Sequence, residues 1–398
     1  MRIIELQAEG FRSLREVTWR PGPLNVIIGP NGSGKSNLLR LLELISLSAQ
    51  GQLGKHVKSS GGIDQLLWDG KATEIRWQLK ASPVEDWRDP AKDGLTYEAA
   101  LARIGKGSAY RVDREVLGNY YRVEQGQKSD PFKLIDRRGL QGRVFDENEH
   151  AFVAPEESLS EEETLLSSAA GPFSFNKHIP PYRQQLAGWS VYHDVRVDQD
   201  ALIRQASVAR LEKRVEPDGQ NLISVLHTLY TGDREFKREI NAAMKAAFGD
   251  DFEELVFPPA ADQRIQLRVR WRSLTREQSA ADLSDGTLRF LFLLTVLASP
   301  EAAPLIAIDE PETGLHPSML PIVAEYAVAA SQKSQVILTT HSPQFLDAFG
   351  METPLTTVMS WDQGQTVLRV IEGEALDKWL KEFSLGGLFR SGELEDLT

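Results

Sequence analysis

Residues 24–44, LNVIIGPNGSGKSNLLRLLEL, decide how the rest of the chain is read. The apolar run Leu24 to Ile28 predicts a buried strand, and it leads directly into Gly29-Pro30-Asn31-Gly32-Ser33-Gly34-Lys35-Ser36. Beyond Ser36, the residues Leu38, Leu39, Leu41, Leu42 and Ile45 recur at helical spacing. A G-x-x-x-x-G-K-[ST] run between a strand and a helix is the context of a phosphate-binding loop. Its glycines let the backbone curl so that successive N–H groups point at phosphate oxygens. The helix start adds unpaired N–H groups and the positive end of its dipole. Asn31, Gly32, Ser33, Gly34, Lys35, Ser36 and Asn37 are therefore the expected nucleotide contacts. Lys35 is expected to reach the β- and γ-phosphates, and the Ser36 hydroxyl to ligate Mg2+.

The chain has 398 residues, enough for a large core and two lobes. It has no cysteine, which excludes a disulfide frame, a thiolate metal site and a cysteine nucleophile, and fits a cytoplasmic setting. The opening MRIIELQAEGFRS lacks the basic-then-apolar pattern of a secretory signal. The longest apolar run, Phe290 to Ala298, is too short to span a bilayer, so no membrane role is expected. With a formal net charge of −12 the chain is not a general polyanion binder, and any nucleic-acid contact must come from a local basic patch.

Short strand patterns at 2–8 and 15–19 lead into the first motif, and Ile75 to Leu79 alternates as another strand. Between 86 and 200 the pattern weakens, with charges of both signs, frequent turns and an acidic cluster at Glu156–Glu163 that reads as a solvated loop. Helical spacing returns at Leu222, Val225, Leu226 and Leu229, and at Phe236, Ile240 and Met244. From Arg264 to Arg272 apolar and polar residues alternate, which predicts one strand with Arg264, Arg268, Arg270 and Arg272 on one face. Thr287–Ala298 reads as an apolar helix, Leu305–Ile308 and Val336–Thr340 as buried strands, and Thr356–Trp361 with Gln365–Ile371 as a hairpin. The expected division is 1–85, an N-terminal core part; 86–216, an inserted lobe that is partly irregular; and 217–398, a C-terminal core part.

Three further motifs bear on chemistry. Asp309 and Glu310 end an apolar strand; Asp309 is suited to hold Mg2+ through its water shell and Glu310 to orient and deprotonate a water. Leu283-Ser284-Asp285-Gly286-Thr287 precedes an apolar helix, where Ser284 and the N–H of Gly286 suit a γ-phosphate, though an ordinary N-cap explains the same residues. His341 ends a strand just before Ser342-Pro343, where a histidine can donate to a phosphate oxygen or sit satisfied in a loop.

Taken in order, GPNGSGKSN, LSDGT, DEPETGLHP and TTHSP, with the opening EGFRSL, resemble the ATP-binding-cassette ATPases of the RecF/SMC/OLD-like branch, the "predicted ATPase" type of AAA family without a Toprim domain. The resemblance covers roughly the first 60 residues and 217–350. It implies an α/β P-loop NTPase fold of ABC type: a mixed central sheet with helices, an antiparallel β subdomain and an inserted lobe. It also implies that Lys35 and Ser36 are Walker A, Asp309 and Glu310 Walker B, Ser284 to Thr287 the signature, Gly314-Leu315-His316 the D-loop and His341 the switch histidine, with Glu310, His341 and Lys35 catalytic. Asp285 departs from the glycine that transporters prefer, and the Q-loop glutamine stays open among Gln65, Gln184, Gln185 and Gln220. In this class the signature of one subunit closes the site of the other, so a homodimer holding two ATP molecules is implied.

The resemblance implies an ATPase acting on or sensing nucleic acid in genome maintenance or anti-phage defence, with the arginine face as its local support. An exposed face paired to acidic neighbours explains those arginines as well, and the acidity of the whole chain favours it. The alternative is a regulatory or sensor subunit controlling a separate effector protein, a nuclease or toxin, with the insertion as its docking surface. A transporter motor is disfavoured by the length between the first motif and LSDGT. The stretch after His341 holds no clustered Asp-x-Asp, so no built-in nuclease is expected.

Overall fold

The computed structural model of the chain describes residues 1–84, 94–120, 132–155, 158–170, 176–350, 352–371 and 384–391. They form two compact units, the first made of Met1–Gly22, Ile28–Trp189 and Thr357–Val370, the second of Pro23–Ile27, Ser190–Thr356 and Ile371–Thr398.

In chain order the first part carries β1 (Ile3–Phe11), β2 (Leu14–Trp19), β3 (Leu24–Ile28), helices α1 (Lys35–Gln50) and α2 (Leu53–Ser59), then β4 (Glu74–Ala81), β5 (Gly94–Arg103), β6 (Tyr110–Tyr120), β7 (Lys133–Arg138), β8 (Gln141–Asp146), β9 (Ala151–Val153), α3 (Leu165–Ala169) and α4 (Ile179–Ala187). Apart from β3, the strands form one antiparallel sheet in the order β2-β1-β4-β5-β6-β7-β8-β9. One face is apolar: Ile75, Trp77 and Leu79 of β4 and Tyr97 of β5 are fully buried, and Tyr97 stacks edge-on against Tyr182 of α4. The other face carries paired charges, Arg114 with Glu98 at 3.0 Å and Asp136 with Arg143 at 2.7 Å.

Within the insertion expected at 86–216, where the sequence pattern weakens, strands β5 to β9 belong to the same sheet as β1 and β4. A one-residue bulge explains why the pattern was hidden. The pairing of β5 with β6 shifts between Ala100 and Leu101, so that Val112, Glu115 and Leu117 are buried in place of a strict alternation. Glu115 is the misleading residue, a fully buried carboxylate that accepts from Leu165 N (2.6 Å), Leu166 N (2.8 Å) and the Tyr97 hydroxyl (3.1 Å). The acidic cluster is also not simply solvated. Glu156 and Glu157 lie outside the described residues, but Glu163 accepts from Gly54 N (2.8 Å) and Leu53 N (3.2 Å) and so caps α2.

The second unit continues with β10 (Ser190–Tyr192), β11 (Ser207–Val208), α5 (Leu222–Gly232), α6 (Arg234–Phe248), β12 (Phe252–Val256), β13 (Pro259–Ala260), β14 (Arg264–Ile265), β15 (Arg268–Trp271), β16 (Gln278–Ser279), α7 (Asp285–Leu297), β17 (Leu305–Ile308), α8 (Leu320–Ser331), β18 (Gln335–Thr340) and α9 (Pro343–Asp347). Its main strands lie in the order β10-β17-β18-β3, and β10, β17 and β18 are parallel. Every residue of β17 and β18 is buried, as parallel strands covered on both faces require. The chain then forms β19 (Leu355–Asp362) and β20 (Gln365–Ile371), followed by α10 (Leu385–Ser391).

The single strand expected at 264–272 is two short ones. β14 belongs to the sheet β11-β14-β13 and β15 to the sheet β12-β15-β16. In the partner stretch Pro258 and Pro259 offer no N–H to a ladder, and pairing lapses between Val256, opposite Arg268, and Pro259, opposite Ile265, so that the two halves join separate sheets. Among the described residues no helix is long and apolar enough to cross a membrane.

Candidate functional site

Each unit carries one cluster of the residues singled out in the sequence. On the first unit, the loop after β3 needs its glycines. Gly29, Gly32 and Gly34 have φ of 149°, 83° and 102°. A Cβ on Gly34 would lie 2.1 Å from Thr366 Oγ1, and one on Gly29 2.1 Å from the Met359 carbonyl oxygen. Gly34 is the N-cap of α1 and, having no side chain, makes no side-chain cap bond to the first turn of that helix. The loop is braced from behind. Thr366 Oγ1 donates to Ser33 O (2.8 Å) and to Ser13 Oγ (2.8 Å), and Asn37 Nδ2 donates to Ser13 Oγ (2.8 Å).

Lys35 is buried, and its Nζ donates to Gly29 O (2.7 Å) and Pro30 O (3.2 Å), which lays the cation across the mouth of the loop. Ser36 and Asn37 are half-buried, while Asn31 and Gly32 are exposed. The Ser33 hydroxyl is buried with no hydrogen-bond partner among the described residues. A buried hydroxyl without a partner among the described residues, a helix N-terminus and a cation together make a site suited to an anion.

On the second unit, β17 delivers Asp309 and Glu310 and the neighbouring β18 delivers Thr339, Thr340 and His341. Thr339 Oγ1 donates to Asp309 Oδ1 and accepts from Glu310 N (3.0 Å), so one hydroxyl orients both acidic residues. Glu310 has φ +46°, left-handed backbone that a non-glycine residue adopts only when its surroundings hold it there. His341 Nδ1 lies 3.1 Å from Glu310 Oε1, and both side chains reach solvent. At that distance the carboxylate and imidazole pair directly with each other, and the solvent-facing sides of both can meet a water.

Ser284 is the N-cap of α7. It accepts from Thr287 N (3.1 Å), and its hydroxyl pairs with Thr287 Oγ1 at 2.8 Å. It remains exposed, so capping the helix does not remove it from the surface. Gly286 must be glycine because a Cβ there would come 2.6 Å from the Gly314 carbonyl oxygen, which ties LSDGT to ETGLHP within this unit.

Sequence reasoning did not assign several residues. Thr339 and Thr340 lie in the quoted run TTHSP, whose two hydroxyls beside His341 were the available signal. Glu312 stands two residues after Glu310; it accepts from Thr340 Oγ1 and His341 N (3.4 Å), and burial pushes its carboxyl above the usual range. Arg204 had no local signal and is taken up below.

The arginines expected on one strand face are divided. Arg270 is ion-paired with Glu254 and, at 2.7 Å, with Glu277. Arg268 donates to Gln266 Oε1 (3.0 Å), while Arg264 and Arg272 are exposed on their separate segments.

With that geometry in place, the chain can be compared with known proteins. Residues 24–347 match the family described as "AAA domain, putative AbiEii toxin, Type IV TA system". The chain belongs to this AAA family. A curated relative, described as "OLD nuclease" from Thermus scotoductus, is 23% identical over 98% of this chain and 69% of its own length. Among solved structures, an Smc head bound to the C-winged helix domain of ScpA covers 95% of this chain and 100% of that chain, with a TM-score of 0.58 at 14% identity. An Smc head with an extended coiled coil, bound to the C-terminal domain of ScpA derived from Pyrococcus furiosus, covers 96% and 98%, with a TM-score of 0.56 at 14% identity. The mixed α/β fold is therefore that of the SMC-head-like ABC ATPases, and the expected RecF/SMC/OLD-like relationship holds for this AAA chain.

Proposed function

We propose that this AAA-family chain binds ATP with Mg2+, hydrolyses it, and dimerises around it. The observation that carries this reading is the braced loop 29–36 with glycine at the N-cap of α1, a Ser33 hydroxyl that has no partner among the described residues and Lys35 across its mouth. Lys35 and the loop N–H groups would hold the phosphates; Ser36 and Asp309 would hold the ion, which supplies charge neutralisation when bound. Glu310 would take the proton of the attacking water and His341 would contact the same water or the γ-phosphate. Ser284 and Gly286 would close the partner's site, so ATP joins two copies and its hydrolysis releases them. The test is phosphate release with and without Mg2+; no turnover above background in either condition rejects the reading.

Ser284→Arg should suppress hydrolysis by blocking closure in trans, while ATP affinity of the isolated subunit stays within about twofold. Mixing that variant with a Lys35→Ala protein tests the geometry, since a mixed dimer retains one intact composite site and should recover part of the turnover. No recovery would count against a signature that acts across subunits.

The cellular reading we favour is a cytoplasmic ATPase acting on or sensing nucleic acid in genome maintenance or anti-phage defence, as the OLD-type relative supports. Replacing the exposed Arg264 and Arg272 by Gln should then weaken DNA or RNA binding across all sequences and flatten the salt dependence by about two units. Fluorescence anisotropy of a labelled duplex and a labelled single strand over several salt concentrations reads both. The second reading, control of a separate nuclease or toxin effector, is favoured by one observation: Arg270 is already committed to Glu254 and Glu277. Absence of binding at low salt with ATP present decides for that alternative.

A further inference from the structure

Arg204 is a buried arginine, 9% exposed, that none of the proposed chemistry uses. It ends the single turn Leu202–Arg204, and its guanidinium is surrounded by acceptors. Nε donates to Val197 O (2.7 Å). Nη1 donates to Leu283 O (2.7 Å), Ala280 O (3.2 Å) and Ala281 O (3.2 Å), and Nη2 to Asp285 Oδ1. Three of the four carbonyls and the carboxylate belong to 280–285, the stretch that leads into and begins LSDGT. A side chain with five donors in a rigid plane is the one residue type able to hold such a set at once.

The consequence for Ser284 follows from the trans peptide. The Leu283 carbonyl and the Ser284 N–H share one peptide plane and point in opposite directions. Arg204 holds the carbonyl inward, so the Ser284 N–H is turned outward, beside the exposed Ser284 hydroxyl. The same segment has a second tie. Asp194 Oδ1 accepts from Arg289 Nη2 of α7 (3.2 Å), and His193 Nδ1 lies 4.0 Å from Asp309 Oδ2. Residues 193–204 thus start beside the acidic end of β17 and finish inside the LSDGT turn.

We propose that Arg204 is the positioning residue of the LSDGT turn: it fixes the orientation in which Ser284 and Gly286 meet a γ-phosphate, and it links that turn to the Asp309 strand end. Its catalytic consequence rests on the ATPase reading above; the mechanical part does not. Arg204 acts only through the turn, so its loss lowers turnover and closure without lowering the nucleotide affinity of the separate subunit.

The experiment compares wild type, Arg204→Ala and Arg204→Lys by hydrogen–deuterium exchange, binding of a fluorescent ATP analogue, and steady-state kinetics. Arg204→Ala is expected to raise amide exchange across 280–288 by roughly tenfold or more, because several charge-assisted bonds that pin the turn are gone. Exchange over 29–40 and analogue affinity stay within about twofold. Turnover falls at least about tenfold with little change in KM, and Arg204→Lys recovers part of both effects because one donor and the charge remain. If the alanine variant does not fold, the lysine variant carries the same comparison with a smaller expected change. Unchanged exchange over 280–288, or analogue affinity falling as far as turnover, overturns the assignment. A wild-type protein that neither turns over nor closes around ATP would sink the ATPase reading instead, and the exchange pattern would still decide on Arg204.

Discussion

Lys35→Ala is expected to abolish detectable hydrolysis and to weaken ATP binding by roughly 10- to 100-fold. The Lys35 ammonium is buried and already directed at the loop carbonyls of Gly29 and Pro30. A charge-assisted bond to phosphate is worth about 1.5–3 kcal/mol, which corresponds to that range of affinity. Removal also leaves two carbonyl oxygens without this donor, so a thermal melt should accompany the titration to separate a local loss from unfolding. Isothermal titration with ATP and Mg2+ measures the affinity directly. A folded Lys35→Ala protein that hydrolyses at the wild-type rate would remove the nucleotide role from loop 29–36.

The second large effect is at Glu310. Glu310→Gln should bind ATP about as tightly as wild type and hydrolyse it roughly 10²- to 10⁴-fold more slowly, the usual contribution of a positioned general base. Glutamine keeps the shape of the side chain, and the Glu310 backbone, held at φ +46° with its N–H on Thr339 Oγ1, is untouched. Single-turnover phosphate release separates the chemical step from product release. A variant that retains full turnover would move the base elsewhere, with Glu312 the next carboxylate to examine because it is held by Thr340 and the His341 N–H.

Why some of this was legible in the sequence and some was not has a physical basis. The stretch from Leu24 to Gln50 announced itself because strand, glycine-rich turn and helix are encoded by neighbours, and the φ values of Gly29, Gly32 and Gly34 match the need for those glycines. Helix Asp285–Leu297 and strands Leu305–Ile308 and Gln335–Thr340 were equally local, since largely apolar runs of that length bury on both faces. The strands β5 and β6 were hidden by a bulge that breaks period-two alternation and by Glu115, which is buried with donors supplied by Leu165 and Leu166 some fifty residues later. The arginine strand was misjudged as one piece because its break is set by prolines in the partner stretch, not by its own residues.

In the candidate site, the motif residues were readable and their supports were not. Thr366 braces Ser33 across 333 positions, and Arg204 holds Leu283 across 79. Long-range hydrogen bonds of this kind leave no periodic or spacing signal, so only coordinates expose them. The same holds for Ser284: the sequence left an ordinary cap and a phosphate contact as alternatives, and the structure shows a capping serine that is still exposed.

The measurement that bears most directly on the central claim is the solution mass of Glu310→Gln by size exclusion with light scattering, taken with ATP and Mg2+, with ADP and Mg2+, and without nucleotide. ATP should shift the protein from one chain to two, and ADP should leave it at one, because the contact proposed for the Ser284 turn is with a γ-phosphate that ADP lacks. A mass that is the same in all three conditions, with ATP binding confirmed on the same sample, would contradict an ATP-joined dimer.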